Sequence, residues 1–366
     1  VPVLDPKHEI HNHLSKNLYR SLQLQRKSSF DHIAPKPLSH ARHPVSVPSM
    51  RTHIPTERLL DEAERSHRCA IGGTDAQRRA LLRRRKAGIL ISPYRNLYAR
   101  AEYWSSLTPP QQHIHTARAL SIVYPHWIFA GLTAACAYGL DHSHSLHADM
   151  TITIASTSPD MPRQNPRLRR IRMKDTSHRQ IAGLPVTDIH RTLIDCATLF
   201  PFASALPMFD SAARKGVSLT GLPDRCRALG IDSANVTALC TYADPLSENG
   251  GESFARATII QLGFVVPRLQ RPFVNPANPN APLRADFTWE LPGDIIIVAE
   301  FDGMGKYVMT DTKRSSIQAK VHAEREREDQ LKSQGVTTIV RFEFEDLTHS
   351  ERLERKLLQA GVPKRR

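Results

Sequence analysis

The sequence of 366 residues has no uninterrupted apolar run of the roughly 18 residues that a membrane-spanning helix needs. Residues 1–30 lack the apolar core of a secretory signal, because charge and histidine recur through them. Cysteine is scarce: Cys69, Cys136, Cys196, Cys226 and Cys240 make five, and no two form a C-x-x-C pair. An odd count on a long chain argues against a disulfide scaffold and against a zinc finger, so a reducing cytoplasm is the expected setting. Apolar content is not lacking. At 40% hydrophobic the chain can bury cores, which excludes disorder throughout. Its length suits two or three domains.

Acid is in deficit. Asp and Glu number 36 against 50 Lys and Arg, a net charge of +14. Residues 241–366 hold 18 basic and 18 acidic side chains, so the whole excess lies in residues 1–240. From Ala76 to Arg100 eight bases stand without an acid, and from Arg163 to Arg179 seven stand with Asp175 alone. Solvated helix faces carry Lys and Arg in most proteins. Stretches nearly void of acid point instead to a polyanion, and first to nucleic acid.

Residues 1–55 read as a disordered basic tail. They hold seven of the 18 histidines, and Pro35, Pro37, Pro44, Pro48 and Pro55 forbid long helices. His8, His11 and His13 have no well-placed partner for a specific metal. Residues 56–103 read as helix, helix, hairpin. Leu59, Leu60 and Ala63 recur at helical spacing, and Thr74 caps a helix from Asp75 to about Ala87 that Gly88 ends. Ala80, Leu81 and Ala87 mark its inner stripe. Arg78, Arg79, Arg83, Arg84, Arg85 and Lys86 cover the remainder, and Arg95 sits at the hairpin tip between Ile89–Ile91 and Asn96–Tyr98. This is the order of a winged helix-turn-helix, with a basic second helix suited to the DNA major groove and a basic ribbon tip suited to phosphate.

Residues 104–243 form a middle α/β region. Trp104–Leu107 and Pro109–Pro110 read as a joint. Ala117–Val123, Trp127–Leu140, Asp188–Phe200, Ala203–Lys215, Leu222–Leu229 and Ser233–Tyr242 read as helices, and Met150–Ala155 as a strand. His142, His144 and His147 fall in an expected loop without tetrahedral spacing. The series Gly88-Ile89-Leu90 … Asn96-Leu97-Tyr98-Ala99, then Ala130-Gly131-Leu132-Thr133-Ala134-Ala135 … Tyr138-Gly139-Leu140, then Gly183-Leu184-Pro185-Val186-Thr187 … Arg191-Thr192-Leu193-Ile194-Asp195 resembles the N-terminal half of AbiEi-type antitoxin/regulator proteins. The resemblance covers about residues 56–240. It implies a DNA-binding winged helix at 56–103 and an AbiEi-like linking domain at 104–243; it does not say whether a partner toxin exists.

Residues 244–366 carry sharper chemistry. A helix from Glu248 to Leu262, strands at Phe264–Phe273, Leu283–Trp289 and Ile295–Asp302, a helix from about Ser315 to Ser333 and a strand at Val336–Phe342 give the order αβββαβ. A turn centred between Pro292 and Gly293 would set Asp286 opposite Ala299, beside Glu300. Glu300 and Asp302 share a strand face by the period of two. Two carboxylates ending an apolar strand are costly unless compensated, and a divalent cation compensates them through hard oxygen ligands. The alternative is a strand end where acids simply reach water.

This order and spacing resemble the PD-(D/E)xK nuclease superfamily, in particular its DUF559 and very-short-patch-repair-like branch. The resemblance implies a restriction-endonuclease-like fold binding Mg²⁺ (or Mn²⁺) through Glu252, Asp286 and Glu300. The superfamily's E-x-K lysine is replaced by Asp302; Glu300-Phe301-Asp302-Gly303 matches the E-x-D-G run of the branch, and Lys306 or Lys320 would supply the displaced charge. Arg325 and Arg327 belong to the same likeness, against ordinary pairing with Glu324, Glu326 and Glu328. The expectation is an α+β multidomain protein that binds DNA and hydrolyses its phosphodiesters. The rival is a non-catalytic regulator whose nuclease fold is inactive. A protein-interaction scaffold would explain neither the charge partition nor the acidic strand end.

Overall fold

The computed structural model describes residues 54–157, 166–303 and 314–365. The expected tail (all but its last two residues), Arg163 and Lys306 lie outside the described residues, as does the side chain of Lys320. The class is α+β, with thirteen α-helices and three sheets among the described residues. The chain divides into two compact units. One takes in residues 54–139 and 144–195, and the other residues 140–143 and 196–365.

The first unit opens with helix α1 (Ile54–Arg65), strand β1 (Ala70–Ile71), helix α2 (Asp75–Lys86) and the hairpin of β2 (Leu90–Ile91) and β3 (Leu97–Arg100). The strands pair antiparallel in the order β1-β3-β2. Thr74 caps α2 by accepting from the Gln77 amide at 3.2 Å while the Gln77 side chain returns to the Thr74 amide, a complete capping box. Gly88 follows with φ of 77°, the left-handed position that ends a helix at low cost. Leu60, Ala63, Ala70, Leu81, Leu90 and Tyr98 make a small core. Arg100 fastens α1 to β3, reaching Glu57 at 2.9 Å, Asp61 at 2.7 Å and Glu64 at 2.9 Å.

Two helices follow, α3 (Ala101–Ser106) and α4 (Pro109–Val123). The expected joint is therefore helical. Pro109 and Pro110 occupy the first turn of α4, where an amide has no helical partner to lose. A five-stranded mixed sheet then forms from β4 (Ile128–Phe129), β5 (Ile152–Ser156), β6 (Leu168–Arg172), β7 (Arg179–Ile181) and β8 (Leu184–Val186), in the order β6-β5-β4-β8-β7. The helix expected over 127–140 is instead β4 followed by the short α5 (Gly131–Ala137). Gly131, at φ of 50°, turns the chain between them. A short apolar run does not separate a buried strand from a helix by its periodicity.

Helix α6 (Ile189–Leu199) contains the division between the units. The second unit adds α7 (Phe202–Arg214), α8 (Leu222–Ala228), α9 (Ala234–Tyr242) and α10 (Gly250–Gln261). Strands β9 (Arg268–Phe273), β10 (Leu283–Leu291) and β11 (Ile295–Asp302), helix α11 (Arg314–Lys332) and strand β12 (Val336–Glu343) give the expected αβββαβ order from α10 onward. The sheet runs β12-β11-β10-β9, with β11 and β12 parallel. Two short helices unforeseen in the sequence, α12 (Phe344–Thr348) and α13 (Ser350–Gln359), close the unit. Residues 196–243 thus belong with the sheet rather than with the middle region. The reason is α7 against α10, where Arg256 donates to Asp210 at 2.6 and 2.7 Å with both side chains buried.

Candidate functional site

In the second unit the N-terminus of α10 meets β9, β10 and β11. Asn249 caps the helix by accepting from the Gly251 and Glu252 amides at 2.9 and 3.0 Å. Glu252, the third helical residue, accepts from the Glu248 amide at 2.9 Å and from Asn249 Nδ2 at 2.5 Å. That much is capping chemistry open to any glutamate in this position. Two other facts are not. Glu252 is buried, and the negative Asp286 stands near it. Burial first, and then the neighbouring carboxylates Asp286 and Glu248, push the Glu252 carboxyl up to about 7.

Asp286 is raised for the same leading reason, burial, with Glu300 adding to it. It accepts from the Phe301 amide at 2.9 Å. The β10–β11 register sets Phe287, not Asp286, opposite Ala299, a correction of one residue. Leu291 pairs with Ile295, leaving the three residues Pro292, Gly293 and Asp294 as the loop. Gly293 and Asp294 both take left-handed φ, 81° and 57°. The turn is centred on Gly293, half a residue beyond the expected point.

Gln270 joins the acids. Its Nε2 donates to Glu252 Oε2 at 3.3 Å, and its side chain also hydrogen-bonds Asp286. Gln270 has φ of 50°, a strained conformation for an L-residue inside a strand. Side-chain alternation breaks at this level. Leu269, Phe287 and Trp289 join the larger core, whereas Phe273, Leu283 and Ala285 join the smaller one, although all hold odd positions. A strand that kept its period would put each set on one side. Nothing in composition or spacing marked Gln270.

Glu300 is half-buried and engaged. Arg327, on α11, donates to Glu300 Oε1 through Nε at 3.0 Å and Nη2 at 2.7 Å, and Arg341 lies 3.8 Å from the other oxygen. Arg327 therefore crosses to the strand rather than pairing along its helix, whereas Arg325 is exposed. Asp302 is half-buried at the end of β11. The structure brings Glu252, Asp286 and Glu300 into one electrostatic neighbourhood. Among the described residues, no trio of acids places one oxygen each within 4.8 Å of the others.

Gly251 explains how α10 comes so close. A Cβ there would stand 2.7 Å from the Phe301 ring. The helix start rests on the strand segment that carries Glu300, with no room for a methyl group.

In the first unit, Arg78, Arg79, Arg83, Arg85, Lys86 and Arg95 are exposed. Arg84 is not. It is buried and donates to Glu57 at 3.1 Å, so its expected place among DNA contacts is corrected. Position 84 is one helical turn beyond Ala80 and Leu81 and lies in their stripe, where it pairs with α1. Ala87, expected in that stripe, is exposed.

No family model, curated protein or solved structure matches the chain. Among the described residues, no helix is long and apolar enough to cross a membrane.

Proposed function

We propose that the first unit binds DNA through a winged helix built of α1, α2 and the β2–β3 hairpin, and that the second carries a metal-dependent phosphodiesterase site of endonuclease type. The observation that carries the catalytic half is the buried Glu252 beside the half-buried Asp286, the two joined through Gln270 and drawn from different elements. A protein does not ordinarily gather carboxylates away from water, where their protons are hard to remove, unless a cation or substrate compensates them. Glu252, Asp286 and Glu300 would hold the ion. When bound, Mg²⁺ or Mn²⁺ lowers the pKa of a water and draws charge from the phosphate. The chain's own part is positioning. The Phe301 amide fixes one oxygen of Asp286, and Gln270 holds Glu252 and Asp286 in register. Arg327 neutralises Glu300 and lies where it would screen a phosphate.

A second reading is favoured by that same arginine. Glu300 is already satisfied by a cation of the chain, as it would be in a regulator that binds DNA without cutting it. Supercoiled plasmid separates the two. Nicking with Mg²⁺ or Mn²⁺ that EDTA and Asp286→Ala/Glu300→Ala both abolish is the expected result. Salt-sensitive DNA binding with no cleavage in either metal would put the regulator in its place.

A further inference from the structure

The first unit also contains an open cavity of about 800 Å³, lined by parts of the α1–β3 segment and of the five-stranded sheet region. Its wall combines two chemistries. Tyr124 and Trp127 stack with ring centroids 4.1 Å apart and planes 10° from parallel, and Tyr124 is 44% exposed. A tight turn presents them, with the Trp127 amide donating to the Tyr124 carbonyl at 3.0 Å. Arg78, Arg95 and Arg170 also line the cavity, and no carboxylate does. Among the described residues Arg95 and Arg170 pair with no acid. Arg78 pairs with Asp75 at 2.6 Å, but that pair is exposed and weak.

We propose that this cavity seats unpaired nucleotides of a single strand, a base resting on the open face of Tyr124 and phosphates on Arg78, Arg95 and Arg170. The inference rests on the nucleic-acid reading above and names a second kind of contact within it. A duplex hides its base faces in its own stack and offers only edges, so an outward aromatic face has nothing to meet there. An acidic peptide would satisfy the arginines but not the rings. A flat ring with cations around it suits a base joined to phosphate. The arginine-rich strand β6, which contributes Arg170, continues the positive surface away from the cavity with Arg169 and Arg172 exposed.

Fluorescence anisotropy with the full chain tests this, using labelled oligothymidylate and a labelled duplex in parallel. The variants are Tyr124→Ala, Tyr124→Phe and Arg83→Ala/Arg85→Ala, with far-UV circular dichroism as the folding control. Tyr124→Ala should weaken oligothymidylate binding by about 5- to 150-fold, the effect of losing one stacked base, and leave duplex binding within about twofold. Tyr124→Phe should restore it, because the ring and not the hydroxyl is needed. The arginine pair should mainly affect the duplex. Duplex binding without oligothymidylate binding, or equal losses on both probes in Tyr124→Ala, would overturn the cavity assignment and spare the DNA reading. Binding to neither probe at low salt would overturn both.

Discussion

At the scale of single residues, the chemistry concentrates in carboxylates held above their ordinary range. Glu252 in the folded chain titrates near 7, whereas an exposed glutamate does so near 4.5. At Glu252 the folded state therefore binds more protons than the unfolded state between those values, and the contribution of this residue to stability falls as pH rises through that window. Thermal melts from about pH 4.5 to pH 7 should show the melting temperature declining, on the order of 2–4 °C for each kcal/mol lost. In Glu252→Gln the decline should flatten, and a slope unchanged from wild type would show that Glu252 does not titrate there. Arg327→Ala leaves Glu300 half-buried without its two short hydrogen bonds, and about 1–3 kcal/mol of stability should go with them in urea titrations. Addition of Mg²⁺ should recover part of that loss if Glu300 is a ligand, and none if Glu300 only pairs with Arg327 and Arg341.

At the scale of elements, α2 sorts its arginines by angle. Arg84→Ala should cost stability, because Glu57 loses a buried partner, and should leave the salt slope of DNA binding unchanged. Arg83→Ala and Arg85→Ala should do the reverse, each lowering that slope by about one. The cap, the end and the extent of this helix were legible in Thr74 and Gly88, because capping is local chemistry. The placing of Arg84 was not, since a helix of mostly basic residues hides which cation faces inward. The αβββαβ order was legible from alternation and breakers. The register was missed by one residue because Pro-Gly-Asp can centre a turn in more than one way. Gln270 left no trace, for its role comes from a backbone angle that no spacing records. The span from Trp127 was misread because its apolar residues serve equally as strand or helix. Helices α12 and α13 went unnoticed behind the last strand.

At the scale of the whole molecule, the chain is two units whose division falls inside α6. The charge partition near residue 240 runs close to the boundary read in the sequence at residues 243 and 244, whereas the structural division falls earlier, between Asp195 and Cys196. The segment 196–243 accompanies the acidic site because Asp210 supplies the counter-charge for the buried Arg256 on the site's own helix. Asp210→Ala should therefore destabilise the second unit by about 3–5 kcal/mol, as expected when one partner of a buried pair is removed. A chain beginning at Cys196 should unfold cooperatively, whereas one beginning at Asp244 should not, as judged by denaturant transitions. A cooperative transition for the shorter chain would mean that α7 and α9 cover α10 without supporting it.

The closeness of Gly251 to Phe301 has a consequence for how the site can be adjusted. The helix and the strand touch without a spacer, so the separation of Glu252 from the β11 carboxylates is set by a ring against bare backbone. A Cβ at Gly250 would lie 3.2 Å from that of Asp141, so the first residue of the helix is also closely packed. The start of α10 behaves as a shim cut to the gap it fills. A single methyl at position 251 is the smallest insertion that chemistry offers, and Gly251→Ala would force the helix start and the Phe301 ring apart while changing no charged side chain.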